Sequence, residues 1–266
     1  MKSKKIIITG GLGYIGMELA LILSGISRQN DILVIDNQFF SERVSQLKRW
    51  GISYKQIDIL DKEKLSSTLY DADLIFHLAW ITDVGRTQYE KNTTRDKEIR
   101  EVGVKGTQNI IKYSKKNVKI VFPSKHVIFE GLKNKKLNIS ETLQPKPLFE
   151  YAAGKFQSEQ DLLNSKKDFV ILRLGSVYGN SFDSTRLNIM PNLFSKITSS
   201  NGTIELFAKG AQLKSLVSVK DVARCMVFVA KSSRTQREIY NCVSENMTVK
   251  DVSNICKKYN KQITTI

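Results

Sequence analysis

The chain has 266 residues, 41% hydrophobic and 26% charged, which is ordinary for a globular protein and long enough for a sizeable core. A formal net charge of +16 at pH 7 leaves three interpretations: a solvated lysine-rich surface, attraction of an anionic metabolite, or nucleic-acid binding. The positive residues are scattered, apart from short clusters such as Lys133, Lys135 and Lys136, so we expect no nucleic-acid partner.

The cysteine and histidine content argues against disulfides and metal sites. Cys225, Cys242 and Cys256 are odd in number and lack a CxxC spacing, which favours a reducing compartment. Only two histidines occur, His77 and His126, so we expect no metal site. No stretch approaches the roughly 20 apolar residues that span a bilayer. The apolar N-terminal run is interrupted by glycines, unlike a signal peptide, so we expect a cytoplasmic protein without a membrane partner.

Short apolar runs alternate with longer helical patterns over the first two thirds of the chain. The runs are rich in β-branched residues and nearly free of charge, as in a parallel sheet covered on both faces. The predicted strands are Lys5–Thr9, Ile32–Ile35, Tyr54–Ile57, Leu74–His77, Val118–Phe122 and Phe169–Leu172. The predicted helices are Tyr14–Leu23, Lys62–Leu69, Arg95–Lys115 and Tyr151–Leu163. This alternation predicts a doubly wound, Rossmann-like α/β fold.

Beyond about Arg173 the pattern becomes irregular and predicts a smaller lobe. The elements expected there are a helix near Met190–Ile197, strands near Ile204–Phe207 and Ser215–Val219, and helices at Asp221–Ala230 and Val249–Lys258. The chain stops soon after the last of these helices, so we expect the lobe to be short at its C-terminal end.

A glycine-rich turn, Thr9-Gly10-Gly11-Leu12-Gly13-Tyr14-Ile15-Gly16, joins the first predicted strand to the first helix. Glycines here allow a tight turn, the approach of backbone to a pyrophosphate, and close packing of helix on strand. Asp36 ends the second strand, where a carboxylate binds ribose hydroxyls and repels a 2′-phosphate. The pattern predicts NAD rather than NADP. A glycine turn that binds nothing is the alternative, and Asp58-Ile59 could receive the adenine or simply end a strand.

Tyr151 and Lys155 are one helical turn apart on the same predicted face. A tyrosine with its ordinary pKa of about 10 is a poor base at neutral pH. A neighbouring ammonium, helped by the positive nicotinamide, stabilises the phenolate and lowers that pKa, so that it can take a proton while hydride moves to NAD. A YxxxK pattern alone often occurs by chance at exposed positions. Here it follows a complete dinucleotide-binding turn in the sequence, so it predicts a catalytic pair.

Together these motifs resemble the extended short-chain dehydrogenases/reductases, specifically the NAD-dependent epimerase/dehydratase family with its UDP-galactose 4-epimerase-like enzymes. The likeness covers nearly the whole chain, and the motifs occur in the family's order. Besides the turn, Asp36, Asp58 and YxxxK, the matching segments are Phe76-His77-Leu78-Ala79, Val84-Gly85, Gly106-Thr107-Gln108-Asn109, Leu172-Arg173, Val177-Tyr178-Gly179, Asn188-Ile189-Met190-Pro191, Val219-Lys220-Asp221-Val222-Ala223 and Tyr240-Asn241.

The resemblance implies NAD as the cofactor, a nucleotide sugar as the substrate, and a homodimer formed through the helices Arg95–Lys115 and Tyr151–Leu163. It also implies an NAD-binding domain over residues 1–175, completed by about 215–243, and a substrate-binding lobe over 176–214 and 244–266. The implied NAD site consists of Gly10, Gly13, Tyr14, Ile15, Gly16, Asp36, Asn37, Asp58, Ile59, Leu78, Ala79, Tyr151 and Lys155. The implied substrate site consists of Ser124, Lys125, Ser176, Asn188, Ile189, Phe207 and Lys214.

Two of these substrate residues carry specific expectations. Lys214 stands near the place where the family has an arginine against the pyrophosphate, and a lysine supplies charge there without a bidentate fork. Phe207 packs either on the nucleotide base or in the core.

Several residues depart from the family pattern. A gapless alignment puts Lys125 at the catalytic Ser/Thr position, and a shift by one residue restores Ser124, which joins Tyr151 and Lys155 as a predicted catalytic residue. The acid pair of sugar 4,6-dehydratases is replaced by Lys125-His126, which argues against dehydration. Gly103 occupies the position where the family has an asparagine.

The leading hypothesis is therefore a nucleotide-sugar epimerase that acts through a keto sugar. A sugar reductase or dehydrogenase stays open. So does an NAD- or nucleotide-sugar-binding protein without catalysis, which Lys125 and Gly103 favour.

Overall fold

The computed structural model describes residues 4–26, 29–82, 93–133, 137–181 and 186–266. Its strands are β1 (Lys5–Thr9), β2 (Asp31–Asp36), β3 (Ser53–Gln56), β4 (Leu74–His77), β5 (Lys119–Lys125), β6 (Asp168–Leu174), β7 (Ser176–Tyr178), β8 (Thr203–Ile204), β9 (Leu213–Ser218), β10 (Glu238–Cys242), β11 (Glu245–Thr248) and β12 (Thr264–Thr265). Its α-helices are α1 (Tyr14–Ile26), α2 (Ser41–Arg49), α3 (Lys62–Leu69), α4 (Thr93–Arg100), α5 (Gly106–Tyr113), α6 (Glu150–Asn164), α7 (Met190–Ser199), α8 (Val219–Lys231) and α9 (Val249–Tyr259).

A seven-stranded sheet in the order β10-β6-β5-β4-β1-β2-β3 forms the centre of the molecule, and all its strand pairs are parallel. One core cluster includes residues of α1 and α8, such as Met17 and Met226, and the other includes residues of α3 and α6, such as Leu65 and Leu162. Helices thus cover both faces, which explains the nearly uninterrupted apolar strands. The predicted doubly wound α/β fold is confirmed.

Smaller elements pack beside this sheet. The strands β11-β9-β7 form a three-stranded sheet, and β12 pairs with β8. A third core cluster joins α7 and α9 through residues such as Phe194, Val252 and Cys256. None of the helices in the described part of the chain combines the length and the apolar character that crossing a bilayer requires.

Two expectations about elements were wrong, and one helix was not predicted. The single helix Arg95–Lys115 is divided into α4, a π-helical turn at Glu101–Lys105 and α5. Helix α2 was missed because it is mostly polar and buries only Val44, Gln46 and Leu47. The strand Ile204–Phe207 ends at Ile204, and a 3-10 turn begins at Phe207, where left-handed backbone at positions 208 and 209 cannot continue a strand.

Helix α1 packs closely on the glycine turn because Gly16 has no side chain. An added Cβ there would lie 2.6 Å from the Cα of Gly11, well inside van der Waals contact. Gly25, at the other end of the same helix, would place a Cβ where no atom of the described residues lies within 4 Å. The two glycines of α1 therefore differ in what they permit.

We expect Gly16→Ala to lower the free energy of unfolding by about 1–3 kcal/mol, because helix and turn must move apart. Gly25→Ala, the matched control, should raise it by about 0.5–1 kcal/mol through helix propensity. Denaturant unfolding of the three proteins measures both values, and equal effects at the two positions would contradict the packing argument.

Candidate active site

A cleft of about 950 Å³ lies where strands of the central sheet reach their carboxyl ends. All but two of the residues predicted for the cofactor and substrate sites line it. In a doubly wound sheet this edge is the usual place for a ligand, because the strands deliver their following loops to one side.

The glycine turn closes tightly against two neighbouring strands. Gly10 has a φ of +64°, its N–H donates to the carbonyl of Ile35 at 2.8 Å, and an added Cβ would lie 2.6 Å from the backbone of Ala79. At Gly13, by contrast, an added Cβ would meet only the carbonyl oxygen of Gly10 among the described residues, at 3.2 Å. The turn and the start of α1 line the cleft, and the N–H groups of a helix N-terminus fit the pyrophosphate of a dinucleotide.

Asp36 is fixed at the end of β2 by backbone donors. Its carboxylate accepts from the N–H groups of Leu12 and Gln38, each at 3.1 Å. Burial raises the pKa of Asp36, and these hydrogen bonds act in the opposite direction. Nearby, Asn37 donates to the carboxylate of Asp58 at 3.3 Å. A carboxylate held in this way fits the ribose of an adenosine.

Tyr151 and Lys155 both reach the cleft from α6. The Nζ of Lys155 donates to the carbonyl of Pro123 at 2.8 Å and lies 3.9 Å from the ring centre of Trp80 and 4.5 Å from that of Phe122. Burial lowers the pKa of Lys155 well below its usual value, while the carboxylate of Glu159 acts in the opposite direction. The predicted pair therefore shares one helix face and one cleft.

Ser124 and Lys125 are the last residues of β5, because this strand continues three residues beyond Phe122, where the predicted strand ends. The Oγ of Ser124 is buried and has no hydrogen-bond partner among the described residues. The Nζ of Lys125 donates to the carbonyl of Gly175 at 2.5 Å. Burial is the main cause that lowers the pKa of Lys125 to about 7, and the positive charge of Arg186 contributes in the same direction.

A chain of hydrogen bonds runs behind the Tyr151–Lys155 pair. The hydroxyl of Thr107 donates to the carbonyl of Gly103 at 2.7 Å, so it accepts from Nε2 of His77 at 3.0 Å. The Nδ1 of His77 then accepts from Thr9 at 2.9 Å, and Thr9 accepts from the N–H of Ala79 at 3.1 Å. Burial lowers the pKa of His77 to about 3, so the ring is neutral. This chain ties the glycine turn to the π-helical turn.

Ser176, Ile189 and Lys214, which the resemblance implies for the substrate site, line the same cleft. Asn188 and Phe207 are not among the lining residues. Phe207 is 79% exposed on its 3-10 turn, so it lies neither in the core nor in the cleft. The family segment Val84-Gly85 and the basic residues Lys135 and Lys136 lie outside the described residues.

Sequence reasoning missed several lining residues, chiefly Trp80, Arg43, Arg186 and Glu130. The guanidinium of Arg43 donates to the carbonyl of Leu12 at 2.7 Å beside the turn. Trp80 follows the Phe76-His77-Leu78-Ala79 segment directly, so its position next to a known motif was the available signal. Nothing in the spacing marked the other three.

The family model described as the NAD dependent epimerase/dehydratase family matches residues 6–242. The chain belongs to that family. The family is NAD-dependent, so the prediction of NAD as its cofactor is confirmed.

Known proteins similar to this chain include sugar-nucleotide epimerases. It is 29% identical over 207 residues to the UDP-glucose 4-epimerase of Mycoplasma genitalium, over 71% of this chain and 58% of that protein. It is 28% identical to the putative UDP-glucose 4-epimerase of Methanocaldococcus jannaschii, over 82% of this chain and 71% of that protein. A UDP-N-acetyl-alpha-D-glucosaminuronate decarboxylase of Bacillus cytotoxicus is 32% identical over 47% of this chain and 38% of its own length.

The chain spans 58% or less of the length of the first curated relatives that it matches. Among solved structures, a UDP-glucuronic acid 4-epimerase from Bacillus cereus in complex with UDP-glucuronic acid and NAD superposes with a TM-score of 0.83. That match has 24% identity and covers 98% of this chain and 85% of that one, so it supports the fold.

The lowered pKa of Lys125 predicts a pH-dependent stability. Between its folded pKa of about 7 and the usual 10.5, the unfolded chain binds more protons than the folded one, so stability rises with pH across this window. We expect Lys125→Met to be more stable than the wild type by on the order of 5 kcal/mol below pH 7, and the difference to vanish towards pH 10.5.

Denaturant unfolding at about pH 6 and about pH 10 measures this difference. The exposed Lys105, changed to Met, serves as the control and should show little dependence on pH. A Lys125→Met effect that is the same at both pH values would show that the amine is not desolvated in the folded chain.

Proposed function

We propose that the chain is an NAD-dependent nucleotide-sugar epimerase that oxidises the sugar transiently to a keto sugar. The observation that carries the proposal is that the glycine turn, Asp36 and the Tyr151–Lys155 pair line one cleft. Membership in the family and the similarity to two UDP-glucose 4-epimerases support the choice of reaction.

In this proposal the turn and Asp36 would hold NAD, and the nicotinamide would supply a reversible hydride acceptor for the sugar carbon. Tyr151 takes the proton of the sugar hydroxyl at Oη, and the Lys155 ammonium stabilises the negative charge that develops. The same tyrosine gives the proton back after the keto sugar has reoriented. Tyr151 therefore ends each cycle in the protonation state in which it began.

Ser124 and Lys125 are proposed to contact the oxygen of the reacting sugar carbon. The buried Oγ of Ser124 lacks a partner among the described residues, and a substrate oxygen would supply that hydrogen bond. Lys125 lines the cleft one residue later and brings a group that is about half charged at neutral pH. On the other side, Ile189 and Lys214 are proposed to hold the nucleotide and its pyrophosphate.

Dehydration is disfavoured although one relative is a dTDP-D-glucose 4,6-dehydratase. Elimination of water needs an acid and a base beside the reacting carbons. Neither Lys125 nor His126, which follow Ser124, is a carboxylic acid, and the Nδ1 of His126 donates to the carbonyl of Leu174 at 3.0 Å. Burial lowers the pKa of His126 to about 4, so the ring is neutral at pH 7 and is a poor acid.

Two other functions stay open. A sugar reductase or dehydrogenase would use the same residues with a net change in the redox state of the cofactor. A protein that binds NAD or a nucleotide sugar without turnover is favoured by one observation: the Nζ of Lys125, which the gapless alignment puts at the usual hydroxyl position, is held by the carbonyl of Gly175.

A homodimer and a cytoplasmic location also belong to the proposal. Helices α4 and α6 and the α5 segment between them correspond to the pair of helices for which the resemblance implies a dimer interface. The abundance of lysine fits a solvated surface.

The direct test is to identify the nucleotide released from denatured protein and to screen UDP-, GDP-, CDP- and dTDP-sugars for turnover. We expect an epimer to form without added cofactor and without net formation of reduced nicotinamide. Tyr151→Phe should lower kcat by about 10²–10⁴-fold, because the general base is lost, while the content of bound nucleotide stays unchanged.

Net reduction or oxidation of the cofactor would favour the reductase instead. No turnover of any nucleotide sugar, with Tyr151→Phe indistinguishable from the wild type in every assay, would leave a binding protein.

The proposed role of Asp36 gives a separate prediction on cofactor choice. Asp36→Ala removes the acceptor of the ribose hydroxyls and should weaken NAD binding about tenfold or more. Binding of NADP should fall less, since the repulsion of its 2′-phosphate is also removed.

Titration calorimetry of nucleotide-free protein measures both affinities. Asp31→Ala, at the other end of β2, is the control and should leave them unchanged. An unaltered ratio of the two affinities in Asp36→Ala would place the ribose elsewhere.

A further inference from the structure

Trp80 lies between the end of β4 and the catalytic pair. Its ring centre is 6.5 Å from that of Tyr151 in an edge-on arrangement and 5.9 Å from that of Phe122. The ammonium of Lys155 lies over its face at 3.9 Å. Trp80 thus touches both members of the proposed pair, although neither the turn nor the YxxxK pattern includes it.

The indole occupies a slot that exists because residue 103 is glycine. A Cβ at Gly103 would lie 2.4 Å from Cζ2 of Trp80, whereas a Cβ at Gly154, on α6, would lie 3.4 Å from the same atom, an ordinary contact. Gly103 is the middle residue of the π-helical turn, and its carbonyl is held by Thr107. The departure from the family at position 103 and the large residue at position 80 therefore fit each other.

The indole is held in this slot by packing. Its Nε1 is buried and has no hydrogen-bond partner among the described residues. Burying an unpaired donor costs free energy, so packing rather than hydrogen bonding keeps the ring in place. What the position does provide is an aromatic face over a buried ammonium. A cation over a desolvated indole gains more than one at an exposed site.

Lys155 needs such a partner. The proposed chemistry requires its charged form, and burial disfavours that form. The charged and titratable groups that act on Lys155 are Glu159 on α6, Lys125 on β5 and the neutral His77 on β4. Glu159 is already paired with the buried Arg173, at 2.8 Å. Close contacts that favour the ammonium are the carbonyl of Pro123 and the two ring faces.

We propose that Trp80 is a positioning residue whose indole face holds the Lys155 ammonium against the Pro123 carbonyl and beside Tyr151. The catalytic meaning of this contact rests on the proposed function, whereas the contact itself does not. A tryptophan that only fills space would be replaced without consequence by another apolar side chain that fills most of the slot.

The test compares Trp80→Phe, which keeps an aromatic face, with Trp80→Leu, which keeps an apolar side chain without one. Acylation of Lys155 by acetic anhydride, followed by mass spectrometry as a function of pH, gives two quantities. The midpoint of the pH profile reports the charge of the amine, and the plateau reports its accessibility. We expect the midpoint to fall by about one pH unit in Trp80→Leu and to change much less in Trp80→Phe.

The same variants should affect kcat and leave KM nearly unchanged. Trp80→Leu is expected to lower kcat for epimerisation by about tenfold with little change in KM, and Trp80→Phe to stay within about threefold of the wild type. Trp50→Leu, at the only other tryptophan of the chain, is the control for loss of an indole and should alter neither readout.

A second pair of variants reaches the same contact without changing Trp80. Gly103→Ala should displace the indole and reproduce the lower midpoint of Trp80→Leu, while Gly154→Ala should leave it unchanged. Thermal unfolding of each variant verifies that it is folded. If Trp80→Leu does not fold, Gly103→Ala still tests the contact.

Equal midpoints in the wild type, Trp80→Leu and Gly103→Ala would overturn the inference, whatever the turnover. Shifted midpoints in a protein that turns over no nucleotide sugar would instead refute the proposed function and leave the contact established.

Discussion

Close backbone contact at the carboxyl edge of the parallel sheet is the constraint on which the rest of the site depends. Gly10 lies against the backbone of Ala79, and Gly16 lies against Gly11, so the first turn, the first helix and the end of β4 share one small volume. Any side chain at these positions would separate them. The same edge receives β5 and α6, and the cleft forms because these elements converge there while the strands stay in register.

Charge is distributed unevenly along this cleft. The glycine turn and the start of α1 line one part of it beside the well-bonded carboxylate of Asp36, a combination that fits a phosphate and a ribose. The substrate side presents the cations Lys125, Arg186 and Lys214 beside Glu130, which suits an anionic sugar nucleotide. Burial keeps His77 neutral, so the hydrogen-bond chain behind the pair adds no charge to the cleft.

Two lysine amines of the site lie where water is scarce, and burial lowers the pKa of both. The Nζ of Lys125 donates a hydrogen bond to one carbonyl. Its pKa is about 7, so about half of the molecules carry the charge at neutral pH. Lys155 has a carbonyl and two aromatic faces around it. The surroundings, rather than the side chain itself, decide how readily each lysine carries its charge.

The sequence alone determined the features that are local in the chain. The strand–turn–helix around Gly10 and Gly13, the acid at Asp36 and the Tyr151–Lys155 spacing are each encoded within a few residues, because turn geometry and helical periodicity are short-range properties. Only the tertiary structure decided the fit of Trp80 to Gly103, the exposure of Phe207 and the half-buried position of Lys125. These depend on which surfaces meet across the sheet, and no local pattern specifies the space left between two packed elements.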